Sequence, residues 1–390
     1  MAQNTRIFYP CQQIAFRKPG TAVNTSKEAH GVQSVSIATT FNLEQAFELG
    51  QLAIYENIEG IPTVDITLNK VLDGYPPLFL LAAASDADGG ILTGPELVKR
   101  APAETLMQLG IWPETVNSVD GAPSARVEMS GLSVQSISYS FPVDGQFTED
   151  VTLQGNNQVW DTYAATATTK VPWATGDFAG QFGGNNDGPI GSGGIAQRQN
   201  LVKATNAQQS KSADYSIFPA DIFGINTSGY APNDEAHFTN ITVSTDLARE
   251  ELFELGTRSP YAKSVTFPVE VTSEFEVISV SGDHVNALDK YQGGSATCTE
   301  PSNLSDRKIR LAVCEGLRVY LGEKNKLASV NYGGGDAGGG NVTVSYSYST
   351  FNDFTVLHSG DSPALGLNAS GSKWWSLRKS YLGATTQDNL

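Results

Sequence analysis

The sequence is poor in the residues on which covalent stabilisation and much of catalysis depend. Its 390 residues include three cysteines and four histidines. An odd, sparse set of cysteines is not a disulfide framework, so we expect reduced thiols, with a Cys298–Cys314 bridge as the alternative. No histidine pair has the spacing of H-E-x-x-H or a comparable metal-ligand motif. These scarcities argue against a disulfide-stapled secreted fold and against a zinc enzyme.

Long apolar segments and common catalytic motifs are also missing. The longest apolar run, PPLFLLAAA at 76–84, is too short to cross a bilayer. The first residues, MAQNTRIFYP, contain no apolar core of a secretory signal. Neither Gly-x-Ser-x-Gly nor a Walker-type phosphate loop occurs. We therefore expect a soluble protein made in a cytoplasm, with no membrane partner, no catalytic, metal or cofactor-binding residues, no cofactor and no enzymatic role.

Charge is scarce and mostly negative. Charged residues make up 17% of the chain, and the net charge is −16. Such a surface repels phosphate, which disfavours sequence-specific binding to nucleic acid and docking on anionic membranes. Hydrophobic residues, at 40%, suffice for a core, and the 39 glycines suit a β-rich chain with many turns. The composition therefore favours a mainly β protein.

What the sequence does contain is a phrase written twice. Residues 35–50 read VSIATTFNLEQAFELG, and residues 241–256 read ITVSTDLAREELFELG. At a constant offset of 206 residues, six of the sixteen positions are identical, and Val35/Ile241 and Ile37/Val243 are conservative exchanges. Internal repeats of this kind indicate duplicated structural units.

The similarity extends in both directions and keeps its order along the chain. Downstream, IPTVDIT at 61–67 faces FPVEVT at 267–272, and VQSISY at 134–139 faces LASVNY at 327–332. Two strand-like segments, FTEDVTL at 147–153 and NVTVSYSYS at 341–349, follow in turn. We predict a first β domain at 5–165 and its repeat at 213–358.

Two further segments lie outside the repeat. Residues 166–212 contain GGNNDGPIGSGG, which predicts a linker or an ordered surface insertion. Residues 359–390 form a C-terminal arm containing Trp374 and Trp375, which docks either on its own domain or on a neighbour. Within the second domain, GGGDAGGG at 333–340 predicts a hairpin tip.

Local patterns predict strands and one short helix in each domain. Alternation of apolar and polar residues in VQSVSIATT, TVDITL and SVQSISYSF predicts half-buried strands. The FELG phrase predicts a helix that starts at Thr40 or Asn42 in the first copy and at Asp246 in the second. Gly50 and Gly256 are expected to end these helices. On this interpretation the apolar residues of the phrase pack the helix onto a sheet; they are Phe47, Leu49, Phe253 and Leu255.

A few polar residues could have either a catalytic or a structural role. Glu149 and Asp150 are adjacent on a predicted strand and so point to opposite faces, which prevents them from flanking one bond as a hydrolase pair. We expect them to have a solvated or interfacial role. His30 and His237 occupy matching places in the two copies, which favours a shared structural role over catalysis.

Residues 31–76 and 136–160 resemble the tail tube proteins of tailed bacteriophages. The first stretch reads GVQSVSIATTFNLEQAFELGQLAIYENIEGIPTVDITLNKVLDGYP, and the second reads SISYSFPVDGQFTEDVTLQGNNQVW. The resemblance implies two packed β-sheets with a flanking helix, in units that form rings stacked into a hollow tube for DNA. Where one unit per chain gives six chains per ring, two units per chain imply a trimeric, pseudo-hexameric ring.

The same resemblance implies a location and a set of partners. It makes the chain a self-assembling structural protein of a virion tail, assembled in the host cytoplasm, with sheath, tail terminator and baseplate proteins as possible neighbours. One face of the hairpin around PVDG would line the lumen. Ser136, Ser138 and Ser140 alternate with apolar residues and are the expected lumen-facing side chains. Genomic DNA would pass this acidic, polar wall during ejection without specific binding.

Two other classes of function remain open at this stage. One is a different virion structural protein: a sheath, baseplate, tail terminator or capsid decoration protein. The other is a carbohydrate-binding or carbohydrate-cleaving β-sandwich, since the 14 tyrosines and 5 tryptophans include rings on which sugars stack. Their placement within strand patterns favours core packing instead.

Overall fold

The structure is a computed structural model, and it describes most of the two predicted β regions. The described residues are 7, 9–20, 27–50, 52, 54–83, 97–113, 123–162, 194–202, 238–257, 260–279, 306, 309–313, 317–322, 324–335 and 340–358. Strands dominate them, which confirms the prediction of a mainly β fold.

The first half of the chain provides ten described strands and two short helices. The strands are β1 (Gln12–Arg17), β2 (Lys27–Glu28), β3 (Val32–Thr40), β4 (Leu43–Phe47), β5 (Ile54–Glu59), β6 (Thr63–Val71), β7 (Thr105–Ile111), β8 (Ala125–Pro142), β9 (Thr148–Gly155) and β10 (Asn157–Thr162). The helices are α1 (Leu78–Ala82) and α2 (Leu97–Arg100), and a 3-10 turn covers Tyr9–Cys11.

The second half provides ten more described strands, and its described part has no α-helix. They are β11 (Leu201–Val202), β12 (Phe238–Asp246), β13 (Arg249–Leu252), β14 (Ala262–Val265), β15 (Glu270–Ile278), β16 (Arg310–Val313), β17 (Leu317–Tyr320), β18 (Lys326–Gly333), β19 (Thr343–Phe351) and β20 (Thr355–His358). A 3-10 turn covers Arg198–Asn200.

Eight strands form one continuous antiparallel sheet, called the long sheet below. Their order is β3-β6-β9-β8-β12-β15-β19-β18. Alternation explains why these segments are strands: in β15 the apolar Val271, Phe275 and Val277 face the core, and Glu270 and Glu274 face away from it. The strands predicted from VQSVSIATT, TVDITL and SVQSISYSF all lie in this sheet.

Two shorter sheets cover the core face of the long sheet. The first short sheet has the order β2-β1-β7-β8-β10, and the second has the order β11-β16-β17-β20. Strand β8 belongs both to the first short sheet and to the long sheet. It passes from one to the other near Gly131, whose φ of 65° is a left-handed conformation that glycine adopts without a steric penalty.

The two halves of the chain have the same strand order. In the long sheet, β3-β6-β9-β8 of the first half is followed by β12-β15-β19-β18 of the second half. In both groups the strands lie in the order first, second, fourth and third along the chain. In the short sheets, β1-β7-β8-β10 corresponds in the same way to β11-β16-β17-β20. The difference is that β8 is continuous, whereas its counterpart is divided into β17 and β18.

One hydrophobic core extends through both halves. Phe354 of the second half lies with its ring centroid 6.3 Å from that of Phe79 in α1 and 6.4 Å from that of Tyr139 in β8. The backbone N–H of Leu97 also donates to the carbonyl of Phe354 at 2.7 Å. The halves are therefore packed together side by side and share buried surface.

The helix predicted over the FELG phrase is wrong in both copies. Residues 43–47 are strand β4, which pairs with β5, and residues 249–252 are strand β13, which pairs with β14. Gly50 and Gly256 do adopt the left-handed conformation expected of them, each with a φ of 95°, but at the tips of hairpins. The physical reason is that β4 gains backbone hydrogen bonds from IYENIE at 54–59, a partner that an inspection of helical spacing does not consider.

Several predicted segments are only partly described. From the predicted linker at 166–212, residues 194–202 belong to the fold: Ala196 is buried, and β11 pairs with β16. The hairpin predicted at 333–340 is supported by the antiparallel pairing of β18 with β19. The arm at 359–390, His237 and the pair Cys298 and Cys314 lie outside the described residues, and Cys11 is a buried free thiol. Among the described helices, none is long and apolar enough to cross a membrane.

Candidate functional site

Among the described strands, the long sheet ends at β3 on one side and at β18 on the other. Within the described residues, β3 pairs only with β6, and β18 pairs only with β19. Each of these edge strands leaves backbone N–H and C=O groups on its outer side, as any sheet edge does. Both edges are long, and β3 contains no proline or lysine that would discourage pairing with another strand. Such edges are surfaces for β-strand addition.

The first hairpin, β4–β5, carries apolar side chains that the chain itself does not bury. Phe47 is 65% exposed, and Leu49 and Leu52 at the tip are fully exposed. Tyr55 and Ile58 on β5 are exposed as well. The prediction that Phe47 and Leu49 pack a helix onto the sheet is therefore wrong, because both side chains point into solvent in the single chain.

The second hairpin, β13–β14, repeats this arrangement. Phe253 is 56% exposed, and Leu255 at the tip is fully exposed. Tyr261 is also exposed, beside its backbone hydrogen bond to the carbonyl of Leu252 at 2.9 Å. The predicted core packing of Phe253 and Leu255 is wrong for the same reason. Apolar groups left exposed in matching places of both halves indicate an interaction surface.

A groove of about 960 Å³ lies between the two hairpins. Phe41 and Pro62 line it from the base of the first hairpin, and Pro260 and Tyr261 line it from the second. Its floor includes Gly131, where β8 changes sheets. The groove therefore lies between the base of the first hairpin and Tyr261 of the second.

The face of the long sheet opposite the core is polar. Ser136, Ser138 and Ser140 lie on it and are partly exposed, and across the junction of the two halves Ser138 is paired with Ser244. The serines of β19 continue the same surface on the other side of β15. The alternation predicted for β8 is thus present.

The charged residues of this polar face are mostly acidic. Its acidic members are Asp65, Asp150, Asp246, Glu270, Glu274 and Glu276. Within the eight described strands, the basic residue of this face is Lys326, at the first position of β18, where its Nζ lies 3.1 Å from a carboxylate oxygen of Asp306. An anionic surface of this kind repels a nucleic-acid backbone.

A row of buried polar groups crosses the core face of the same sheet. Lys70, Glu149 and Tyr139 are opposite one another on β6, β9 and β8, and none of the three has more than a trace of solvent exposure. The Tyr139 hydroxyl donates to Glu149 Oε1 at 2.8 Å. Burial raises the pKa of Glu149, and the hydrogen bonds that its carboxylate accepts and the charge of Lys70 oppose that rise.

This row anchors the segment that leads into α1. Glu149 accepts hydrogen bonds from the backbone N–H groups of Leu78 and Phe79, at 2.5 and 3.0 Å, and so caps the start of the helix. Lys70 Nζ donates to Asp73 Oδ1 at 2.7 Å and to the His30 carbonyl. The solvated or interfacial role predicted for Glu149 is therefore wrong, while Asp150 does lie on the partly exposed face.

The polar row contains residue types that also occur in active sites, but its side chains are shielded from solvent. His30 stacks on Tyr75 with ring centroids 3.9 Å apart, and burial together with the charge of Lys70 lowers its pKa. Glu149 and Lys70 are both fully buried and hydrogen-bonded within the protein. In the described part of the chain, no group of three or more His, Cys, Asp or Glu side chains is placed to hold a metal ion.

Arg249 forms hydrogen bonds across the junction between the halves. From β13 its Nε donates to the Val134 carbonyl at 2.9 Å, and its guanidinium also donates to the Ala101 carbonyl at 2.5 Å. Burial lowers its pKa to about 10, against the opposing effect of Glu104. No sequence motif predicted this contact, since its partners are backbone carbonyls more than a hundred residues away.

Comparisons with known proteins give weak structural likenesses. The sequence matches no family model and no curated protein. Among solved structures, the tube-terminating cap of the anti-feeding prophage is 11% identical, with a TM-score of 0.30, over 42% of this chain and 95% of that one. A chain of the sheath-tube complex of the PVC extracellular contractile injection system is 11% identical, with a TM-score of 0.29, over 41% of this chain and 95% of that one. A crystal structure of Hcp protein is 14% identical, with a TM-score of 0.24, over 40% of this chain and 94% of that one.

Proposed function

We propose that the chain is the structural subunit of a phage tail tube, and that it assembles with copies of itself into rings that stack into a hollow conduit for DNA. The observation that carries the proposal is the long sheet: two halves of the same strand order, joined side by side, with an open edge at each end. The sequence resemblance of residues 31–76 and 136–160 to tail tube proteins agrees with it.

Ring closure follows from the edges. No described strand pairs with the outer sides of β3 and β18, and strands of neighbouring copies would satisfy the backbone groups there, since a closed circle leaves no edge. The contact is head to tail, because the two edges differ, and head-to-tail contacts generate rings when the rotation closes. Three chains with two equivalent halves each would form a trimeric ring with pseudo-sixfold symmetry.

Ring stacking is assigned to the two hairpins. Leu49, Leu52 and Leu255 at their tips are fully exposed in the single chain. Burying such a side chain is worth about 1.5–3 kcal/mol, and a pseudo-hexameric ring would present six tips of this kind.

The polar face of the long sheet becomes the wall of the conduit. Its serine and threonine rows offer no cluster of cations to hold phosphate, and its carboxylates repel DNA. On this proposal Ser136, Ser138 and Ser140 face the lumen and DNA passes without specific binding. The location is the tail of a virion assembled in the host cytoplasm, and sheath, terminator and baseplate proteins are the expected neighbours.

Electron microscopy of the purified chain tests the proposal against the alternatives. We expect rings, or hollow fibres of constant bore, that form without any other protein. A decoration protein would give monomers or oligomers that do not stack. A carbohydrate-binding sandwich would remain monomeric and be stabilised against heat by a sugar. Either of these last two results would refute the proposed function.

A further inference from the structure

The junction between the two halves contains a template for the contact between copies. At this internal seam β8 pairs with β12, so that Ser138 is opposite Ser244 and Tyr139 is opposite Val243. Tyr139 and Val243 are fully buried. One more backbone bond extends the seam, from the N–H of Leu247 to the carbonyl of Gln135 at 2.6 Å.

The two open edges are the counterparts of these two strands. Strands β3 and β12 both have nine residues, and they begin at Val32 and Phe238, which are 206 residues apart. The sequence repeat aligns β18 with the corresponding part of β8 at an offset of 193 residues. Strand β3, at one edge of the long sheet, therefore corresponds to β12 of the internal seam. Strand β18, at the opposite edge, corresponds to the part of β8 that pairs with β12.

Irregularities in the ladders support both alignments. The β8–β9 ladder shifts register around Gln135, and the β18–β19 ladder shifts around Ala328, which is 193 residues later. The β3–β6 ladder shifts around Gln33, and the β12–β15 ladder shifts around Thr239, which is 206 residues later. Bulges mark single positions in a strand, so their agreement fixes the correspondence to the residue.

We propose that β18 of one copy pairs antiparallel with β3 of a second copy, in the register that places Asn331 opposite Ala38 and Tyr332 opposite Ile37. The inference rests on the proposed function and specifies the contact that closes its ring. The register is that of the internal seam, transferred by the two offsets. It places Ser329 opposite Thr40 and Gly333 opposite Ser36.

Side-chain exposure fits this partner. Tyr332 is 54% exposed, although its counterpart Tyr139 is fully buried at the internal seam. Phe41 is 69% exposed, although its counterpart Leu247 is fully buried. Pairing with a second copy would cover both rings. The Phe41 N–H would then donate to the carbonyl of Ala328, as the Leu247 N–H donates to the carbonyl of Gln135.

The two seams differ in one respect. The counterpart of Arg249 is Leu43, which cannot donate hydrogen bonds to the partner strand and is exposed in the single chain. The seam between copies would therefore be formed by backbone bonds and apolar contacts, without the buried guanidinium that locks the internal one.

Disulfide trapping tests the register. The variant A38C/N331C places its two cysteines opposite each other in neighbouring copies, where antiparallel partners have Cα atoms about 4.5–5.5 Å apart, within the range that a disulfide spans. The variant S36C/S329C is the matched control on the same strands: its cysteines are four positions out of register, about 13 Å apart. The single variants A38C and N331C and the oxidised wild type measure background.

We expect A38C/N331C to form covalent oligomers between copies at least about tenfold faster than S36C/S329C under mild oxidation. The second in-register pair, T40C/S329C, repeats the test if A38C/N331C does not fold. Faster trapping of S36C/S329C would overturn the register. Rings seen by electron microscopy in the same samples, without trapping of either in-register pair, would overturn the seam and leave the proposed function standing. Chains that neither trap nor form rings would refute both.

Discussion

At the scale of single residues, the buried row of Lys70, Glu149 and Tyr139 shows how alternation selects a side chain for the core. Glu149, Val151 and Leu153 occupy every second position of β9 and share its buried face, and Phe147 just before the strand continues the pattern. The period of two therefore places Glu149 among apolar residues, and its energetic cost is offset by the hydrogen bonds that it accepts. The pattern that excluded a catalytic pair with Asp150 already contained this information.

Replacing Glu149 tests this role through the pH dependence of stability. The folded state raises the pKa of this carboxyl above 4.5, so it binds the proton more tightly than the unfolded state does. Its contribution to the free energy of unfolding is then fully present below about pH 4.5 and is lost as the pH rises through the folded pKa. In E149Q this loss should vanish, so the stability of wild type relative to the variant should fall as the pH rises. Urea unfolding at a series of pH values measures it.

The variant Y139F supplies the comparison for that experiment. It removes a hydrogen bond that opposes the rise in the pKa of Glu149. The loss of stability with rising pH should therefore extend to higher pH than in wild type. A difference between wild type and E149Q that stays constant with pH would contradict the account.

Exposure predicts that the phenylalanines of the repeated phrase contribute little to folding. F47A and F253A should each change the free energy of unfolding by less than about 0.5 kcal/mol, because both side chains are more than half exposed. F275A, at a fully buried position of β15, should cost about 3–5 kcal/mol and is the control. Urea unfolding at dilute, unassembled concentrations decides the question. A cost for F47A as large as that for F275A would place Phe47 in the core after all.

At the scale of elements, strands with one buried face were predictable and the hairpins were not. In TVDITL every second residue is buried, and in VQSVSIATT the partly buried Val35 and Ile37 pack against the core, so the pattern in the sequence reflects burial in the single chain. The β4–β5 hairpin has almost no buried residue, and its apolar positions follow no period of two. Leu43 and Phe47 happen to fit helical spacing. The β-branched and aromatic content of IYENIE was the available signal for a strand partner.

Charge at a hairpin tip should block assembly and leave the fold intact. L49D and L255D each place a carboxylate where the proposed contact between rings excludes water. Losing one buried leucine costs about 1.5–3 kcal/mol, which should raise the concentration needed for assembly by roughly tenfold or more. Melting temperatures at dilute concentration should be unchanged, because both side chains are fully exposed. Sedimentation of assembled material over a concentration series measures the effect.

The control for this experiment is N57D, which adds the same charge to β5 away from the tip. It should assemble at close to the wild-type concentration. If L49D and L255D formed tubes as readily as N57D, the hairpins would have no part in stacking.

At the scale of the whole molecule, the long sheet continues through two halves that have the same strand order. The repeated phrase indicated two units, and the common strand order agrees with that interpretation. What the sequence could not indicate was that β8 and β12 continue one sheet through both halves, because strand pairing between units depends on backbone groups that carry no residue signature. The partners of the edge strands β3 and β18 likewise have no residue signature, and we infer them from the internal seam.

The rotational symmetry of an assembled ring tests the central claim most directly. End-on class averages from electron microscopy, compared with the mass of the ring, count the chains that close the circle. The account predicts three chains with six similar lobes around one bore. Six chains in a ring, or a ring whose two kinds of lobe do not alternate around the bore, would contradict it.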